Sequence, residues 1–214
     1  MKVTISNIVK IEEPTQVVKT LVDRNLTFKN PDYTKKVQMG FYVGNTPRTL
    51  KLYSYDGSCI YTPVGFVDAF KKYFPADTVY EDLRTEVHAN ITSKMTLRDY
   101  QEYAMIPFTT RFHHHDNGLL IAFPGLGKTN MALEIASRIK QKTLFITHTK
   151  ELCTQACDRC KEVLNCTTSY ITEGKVDISG DIVFATVQTL VKNLDKIKHD
   201  TFGCVITDEC HHCF

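Results

Sequence analysis

The sequence contains no run of uncharged apolar residues approaching the roughly 18 to 20 that a membrane-spanning helix needs. Its opening, MKVTISNIVKIEEPT, has no apolar signal core. No membrane partner is expected, and the protein is not expected to be secreted. A strong charge of either sign is also missing, since 26 Lys and Arg face 24 Asp and Glu for a net charge of +2. Any surface for a polyanion must therefore be local. Cysteine is scarce in the first half: of eight, only Cys59 precedes residue 100. A lopsided set without a secretory start argues against a disulfide framework and for reduced thiols that pack as small apolar side chains.

What is present is enough to bury a core, with 43% hydrophobic and 23% charged residues over 214 positions. That length suits two small domains. Residues 1–95 alternate short strand patterns with turns: VTISNI and TLKLYSY have the period of a half-buried strand, and Asp56-Gly57 marks a hairpin turn. Pro14 opens a helical stretch whose Val17, Val18, Leu21 and Val22 share a face, and GFVDAFKKYF reads as a second helix. This is a small α+β domain without a catalytic motif. Its Phe41, Tyr42, Tyr53, Tyr55 and Tyr61 are candidates for stacking on bases, although their alternating spacing points to core packing.

Residues 96–214 change to strand–helix alternation. Thr96, with Asp99 three residues on, signals the start of a helix through DYQEYAM that Pro107 should end or kink. GLLIA, TLFIT, DIVFAT and GCVIT read as buried strands, and KTNMALEIASRIK and KELCTQACDRCKEVL as helices. The expected fold is α/β, a parallel sheet with helices on both faces, and its ligands belong at the carboxyl ends of the strands.

The turn after GLLIA runs Ala122-Phe123-Pro124-Gly125-Leu126-Gly127-Lys128-Thr129, which fits a phosphate loop ending in GKT. Gly125 and Gly127 free the backbone to turn its amides toward a phosphate, and the following helix adds its positive end. Lys128 would reach the β- and γ-phosphates, and the Thr129 hydroxyl would coordinate Mg²⁺. The strictest form of the motif has glycine where Ala122 stands. A glycine-containing strand–helix turn of no function is the plain alternative. The GCVIT strand runs into Asp208-Glu209-Cys210-His211. An acidic pair at the end of a buried strand is costly without a cation or a reaction to serve. Asp208 would hold the Mg²⁺ of ATP through its water shell, and Glu209 would orient and deprotonate the attacking water.

With these motifs in order, the sequence resembles the front part of a superfamily 2 DExH-type helicase or translocase, closest in layout to phage recombination and excision-repair helicases. Thr147-His148-Thr149-Lys150-Glu151-Leu152 with Gln155 is similar to the family's P-T-K-E-L-x-x-Q segment, His148 standing for proline. Thr186-Val187-Gln188-Thr189-Leu190 is similar to its T-x-Q-[ST]-L segment, and Leu97-Arg98-Asp99-Tyr100-Gln101 to its L-R-x-Y-Q segment. The resemblance implies a RecA-like P-loop lobe over 96–214, ending after the DExH box, preceded by an accessory domain over 1–95 that contacts nucleic acid. It implies that Arg98 and Gln101 read adenine, and that Thr147, Thr149, Lys150, Gln155, Thr186, Gln188 and Thr189 face a nucleic-acid backbone, DNA favoured over RNA. Asp208, Glu209 and His211 then act with Lys128 in hydrolysis, in a cytoplasmic setting (bacterial or phage-infected) or a nuclear one.

The family's second lobe carries an arginine finger, worth roughly 10³–10⁵ in rate. These 214 residues are therefore expected to be a piece of a longer motor and feeble as an ATPase alone. Two other readings compete. One is a non-hydrolysing nucleic-acid-binding module on a P-loop scaffold. The other is a zinc or iron–sulfur site built from Cys157, Cys160 and the segment Cys210-His211-His212-Cys213, with Cys153, Cys166 and the run His113–His115, although Cys157 and Cys160 fall within a helical pattern.

Overall fold

The computed structural model describes residues 1–111 and 117–212. The His113–His115 run and Cys213 lie outside the described residues. The chain forms two compact units, Met1–Arg84 and Thr85–Phe214.

In the first unit the strands β1 (Lys2–Ile5) and β2 (Val9–Glu12) lead into α1 (Gln16–Asn25). Then come β3 (Thr27–Lys29), α2 (Pro31–Gln38), β4 (Thr49–Lys51), β5 (Ser54–Asp56), β6 (Cys59–Thr62), α3 (Gly65–Phe70) and β7 (Val79–Asp82). A five-stranded sheet has the order β5-β6-β2-β1-β7, with β7 parallel to β1 and the other pairs antiparallel; β3 and β4 form a separate ribbon. The Asp56-Gly57 turn joins β5 to β6, with Gly57 at φ +57°, where a side chain would be strained. Thr15 caps α1 by accepting from the Val18 amide. Val18 and Val22 of α1 are buried with Val3, Val9, Ile11, Ile60 and Phe66. Val17, expected on that face, is exposed, so the buried stripe of α1 is one residue narrower than its apolar pattern.

The second unit contains β8 (Thr92–Ser93), α4 (Asp99–Arg111), α5 (Lys128–Ile139), β9 (Thr143–Thr147), α6 (Lys150–Val163) and β10 (Leu164–Asn165). It continues with β11 (Thr168–Ile171), β12 (Ile182–Thr186), α7 (Val187–Val191) and β13 (Cys204–Thr207). The sheet order is β11-β12-β9-β13, parallel throughout. The central strand β12 is buried along its whole length and shows both faces of the sheet covered. Ile182 and Phe184 pack with Phe145, Leu133 of α5 and Ala156, Cys157 and Cys160 of α6, whereas Val183 and Ala185 pack on the other side with Leu144, Ile171 and Leu190. An all-apolar strand is what a doubly covered parallel sheet requires. No helix among the described residues is long and apolar enough to cross a membrane.

The structure departs from the sequence expectations for this unit at GLLIA, at Pro107 and at the start of α4. The GLLIA run, residues 118–122, is not a strand and pairs with none of the described strands. Leu119, Ile121 and Phe123 are 67%, 84% and 81% exposed. The sheet ends at β13, where Val205 is 58% exposed, and an apolar run becomes a strand only when a neighbour takes its backbone groups. Of the two outcomes expected at Pro107, an end or a kink, the end is excluded, since α4 runs through it to Arg111. The start of α4 is also secured differently: Gln101 Oε1 accepts the Arg98 amide at 3.0 Å, the returning half of a capping box, in place of a cap from Thr96.

Candidate nucleotide site

The loop before α5 takes the shape its glycines allow, with Gly125 at φ +83° and Gly127 at φ +82°. Gly127 is the N-cap of α5, so Lys128 and Thr129 are its first two residues and the helix's free amides open toward the loop. Space matters as much as φ at this position: a Cβ on Gly127 would lie 2.6 Å from Gln101 Nε2. That nitrogen donates to the Leu126 carbonyl at 2.9 Å, while Oε1 of the same side chain holds the Arg98 amide. Gln101, expected to read adenine, is buried and latches the loop to the start of α4. Arg98 reaches the Tyr100 hydroxyl at 3.3 Å. Pro124 stands exposed at the loop's tip.

The acidic box faces this loop. The Asp208 amide donates to the Ile146 carbonyl of β9 at 2.9 Å, which fixes the exit of β13 against its neighbour. Asp208 Oδ1 accepts the Glu209 amide at 3.0 Å, and Glu209 adopts φ +51°, a left-handed conformation uncommon outside glycine. The turn delivers Glu209 Oε1 to 2.8 Å from Lys128 Nζ. The Thr129 hydroxyl lies beside the Asp208 carboxylate and favours its charged form, and His211 Nδ1 lies 3.4 Å from Glu209 Oε2. The structure thus brings Lys128, Thr129, Asp208, Glu209 and His211 together across 79 intervening residues.

Electrostatics follow from this packing. The hydrogen bond to Glu209 holds the Lys128 ammonium above its ordinary range, burial opposing it. Burial pushes the Asp208 carboxyl up, partly offset by the Glu209 amide. A hydroxyl and a desolvated carboxylate in mutual contact are hard oxygen donors. Two such ligands suit Mg²⁺, which takes most of its shell from phosphate and water.

Beside the loop is a cavity of about 240 Å³ lined by Lys94, Leu97, Gln101, Asn130, Arg159 and Val163 among others. Arg159 Nε donates to Asn130 Oδ1 at 2.8 Å and NH1 to Glu162 at 2.9 Å. Arg159 is not legible as a site residue from its own context, whereas Asn130, directly after GKT, is.

The residues expected to face a nucleic acid divide into two groups. Thr147 is buried and its hydroxyl donates to the Thr149 carbonyl; Thr149 caps α6 by accepting the Leu152 amide. Thr186 and Thr189, both buried, form a reciprocal capping box for α7. These four hydroxyls are spent within the fold. Lys150, Gln155 and Gln188 are exposed at the same ends of β9 and β12. The cysteine reading meets a packed core, since Cys153, Cys157 and Cys160 lie against the sheet and no group of three or more His, Cys, Asp or Glu that could hold a metal stands together among the described residues.

Residues 94–214 match the family described as "Type III restriction enzyme, res subunit". A putative ATP-dependent RNA helicase of Acanthamoeba polyphaga mimivirus is 34% identical over 125 residues, 58% of this chain and 24% of that protein. A DNA 3'-5' translocase, XPB2, of Sulfurisphaera tokodaii is 30% identical over 122 residues, 57% of this chain and 26% of its own length. The chain therefore spans about a quarter of these curated relatives. The crystal structure of the UvsW helicase from bacteriophage T4 superposes with a TM-score of 0.59 at 18% identity, covering 99% of this chain and 83% of that one, a likeness of fold. With its matched region embracing the phosphate loop and the acidic box, the chain belongs to the type III restriction enzyme res subunit family and has the amino-terminal, RecA-like α/β lobe of a superfamily 2 helicase.

Proposed function

We propose that this chain is the ATP-binding half of a nucleic-acid motor, which binds Mg-ATP at the Lys128 loop and tracks DNA along the exposed ends of β9 and β12. The observation that carries this reading is the Lys128–Glu209 contact at 2.8 Å with Thr129 on Asp208. A triphosphate arriving in the loop competes for Lys128, and release of Glu209 leaves a carboxylate placed to take a proton from water. His211 is within reach to hold the other Glu209 oxygen. Bound Mg²⁺, held by Thr129 and Asp208, would neutralise charge on the phosphates. Lys150, Gln155 and Gln188 meet the nucleic-acid backbone, which helix-start amides are also suited to contact. The relatives' names include both an RNA helicase and a DNA translocase; DNA is our assignment.

Completion of hydrolysis falls to a second lobe. The test is titration of a fluorescent ATP analogue with and without Mg²⁺. Binding should weaken at least tenfold without the metal or in Lys128→Ala, and hydrolysis by these 214 residues should lie roughly 10³–10⁵ below motor rates. Equal affinity in all three conditions would sink the proposal.

A further inference from the structure

Residues 31–59 of the first unit run through α2, β4 and β5 without a single buried residue. Polar contacts keep this stretch in shape. The side chain of buried Asn30 donates to the Pro47 carbonyl at 2.8 Å and accepts the Asp32 amide at 3.0 Å, and its backbone amide donates to the Arg48 carbonyl at 3.0 Å. Lys36 Nζ reaches Thr46 Oγ1 at 2.6 Å, and the Phe41 amide bonds the Lys36 carbonyl at 2.8 Å. The apolar side chains are left outside: Tyr42 is 90% exposed, Phe41 63% and Tyr55 52%. Phe28 and Leu50, cross-strand partners in the β3–β4 ribbon, are exposed on one face. Core packing, expected for Phe41, Tyr42 and Tyr55, is therefore not what they do. A concentration of exposed apolar side chains marks an interaction surface.

Charge selects the partner. Residues 27–55 hold five of the 26 basic side chains (Lys29, Lys35, Lys36, Arg48, Lys51) and one of the 24 acidic ones, Asp32, so the rest of the chain is net negative by two. Lys51 is partly spent on Asp23 at 3.8 Å and on the Tyr53 ring; Lys29, Lys35 and Arg48 are exposed. Rings interleaved with cations fit unpaired bases, which offer both a π-face and a phosphate; a duplex hides the faces. We infer that segment 27–55 is a docking surface for single-stranded nucleic acid, with Phe41 and Tyr42 stacking on bases and Lys29, Lys35 and Arg48 engaging the backbone. The inference takes from the proposed function only that the chain works on nucleic acid; the ATP site plays no part in it.

The test is fluorescence anisotropy of the whole 214-residue chain with labelled oligo-dT, oligo-U and a duplex of equal length, at two salt concentrations. Phe41→Ala/Tyr42→Ala should weaken single-strand binding about tenfold or more and leave duplex binding in place. Lys29→Ala/Lys35→Ala/Arg48→Ala should flatten the salt slope by about 2, at roughly 0.7 per phosphate contact. All variants should bind the ATP analogue as the parent does, which reports an intact second unit, and should keep the parent's circular dichroism spectrum and melting curve, which report an intact first one. Unchanged single-strand affinity in the aromatic variant, or an equal loss on duplex, overturns the inference. So does sedimentation showing a parent dimer that the aromatic variant abolishes, since the patch would then belong to a second copy. A failed Lys128→Ala test beside a positive anisotropy result would sink the motor and spare this surface; the reverse pattern would sink this surface alone.

Discussion

IVFAT and GLLIA are almost the same word in sequence and opposite things in the fold. The first is β12, paired on both edges and buried throughout; the second lies at residues 118–122, unpaired and exposed. Hydrophobicity states what a segment would gain from being covered, not whether anything covers it. For β12 the cover comes from α5 and α6 on one side and from the α7 region on the other. Beyond β13 none of the described residues adds a strand. The phosphate loop thus hangs from an uncovered segment on one side and from α5 and Gln101 on the other.

The bluntest way to break this comparison is by truncation. Phe184→Ala, within the core between the sheet and α6, should cost about 3–5 kcal/mol in chemical denaturation. Ile121→Ala and Phe123→Ala, in the exposed run, should each stay within about 0.5 kcal/mol. A cost for Ile121→Ala approaching that of Phe184→Ala would mean that GLLIA is covered in solution.

A finer contrast lies inside the loop. Gly125 and Gly127 share almost the same φ, yet a Cβ on Gly125 meets nothing within 4 Å, whereas one on Gly127 meets Gln101. Gly125→Ala should therefore carry only the left-handed penalty of about 1–2 kcal/mol. Gly127→Ala adds displacement of Gln101 from Leu126, and should lower affinity for the ATP analogue severalfold further. Gln101→Ala combined with Gly127→Ala should recover part of that extra loss, because the clash goes with the side chain. If the two glycine variants behave alike, Gln101 does not latch the loop.

How much of this could be read beforehand depended on whether the signal was local. Lys128, Thr129, Asp208 and Glu209 were legible because their chemistry is tied to a chain position, between a loop and a helix or at the end of an apolar strand, and β9, β12, β13, α5 and α6 follow from apolar period. The threonines of the THTKEL and TVQTL segments were legible as residues but not as donors. Whether a hydroxyl caps its own helix or waits for a phosphate depends on local geometry that the letters leave open. β11 and the β8–β10 pair are too short to carry a period. Phe41 and Tyr42 show the limit from the other side, since alternation indicates that two faces differ without saying that either is covered.

The smallest effect sharpens the same contrast within the site, where Asp208 ends the covered sheet and Lys128 begins the helix after the uncovered loop. Burial raises the Asp208 carboxyl, so its favourable part in folding is complete below the ordinary carboxylate range, near pH 4, and is lost as pH rises through the elevated folded value. Lys128, raised by Glu209, supplies stability that persists past neutrality and disappears only as pH climbs beyond the ordinary lysine value of 10.5 toward its folded one. In melting curves, Asp208→Asn should therefore remove a small decline in stability just above pH 4 and, because the Asp208 charge also helps to raise Lys128, move the alkaline limb slightly toward lower pH. A divalent ion favours the ionised carboxylate, so Mg²⁺ should raise the Tm at pH 7.5 and do little at pH 4. An equal Mg²⁺ effect at both values, or one that survives Asp208→Asn, would place the ion elsewhere than between Thr129 and the end of β13.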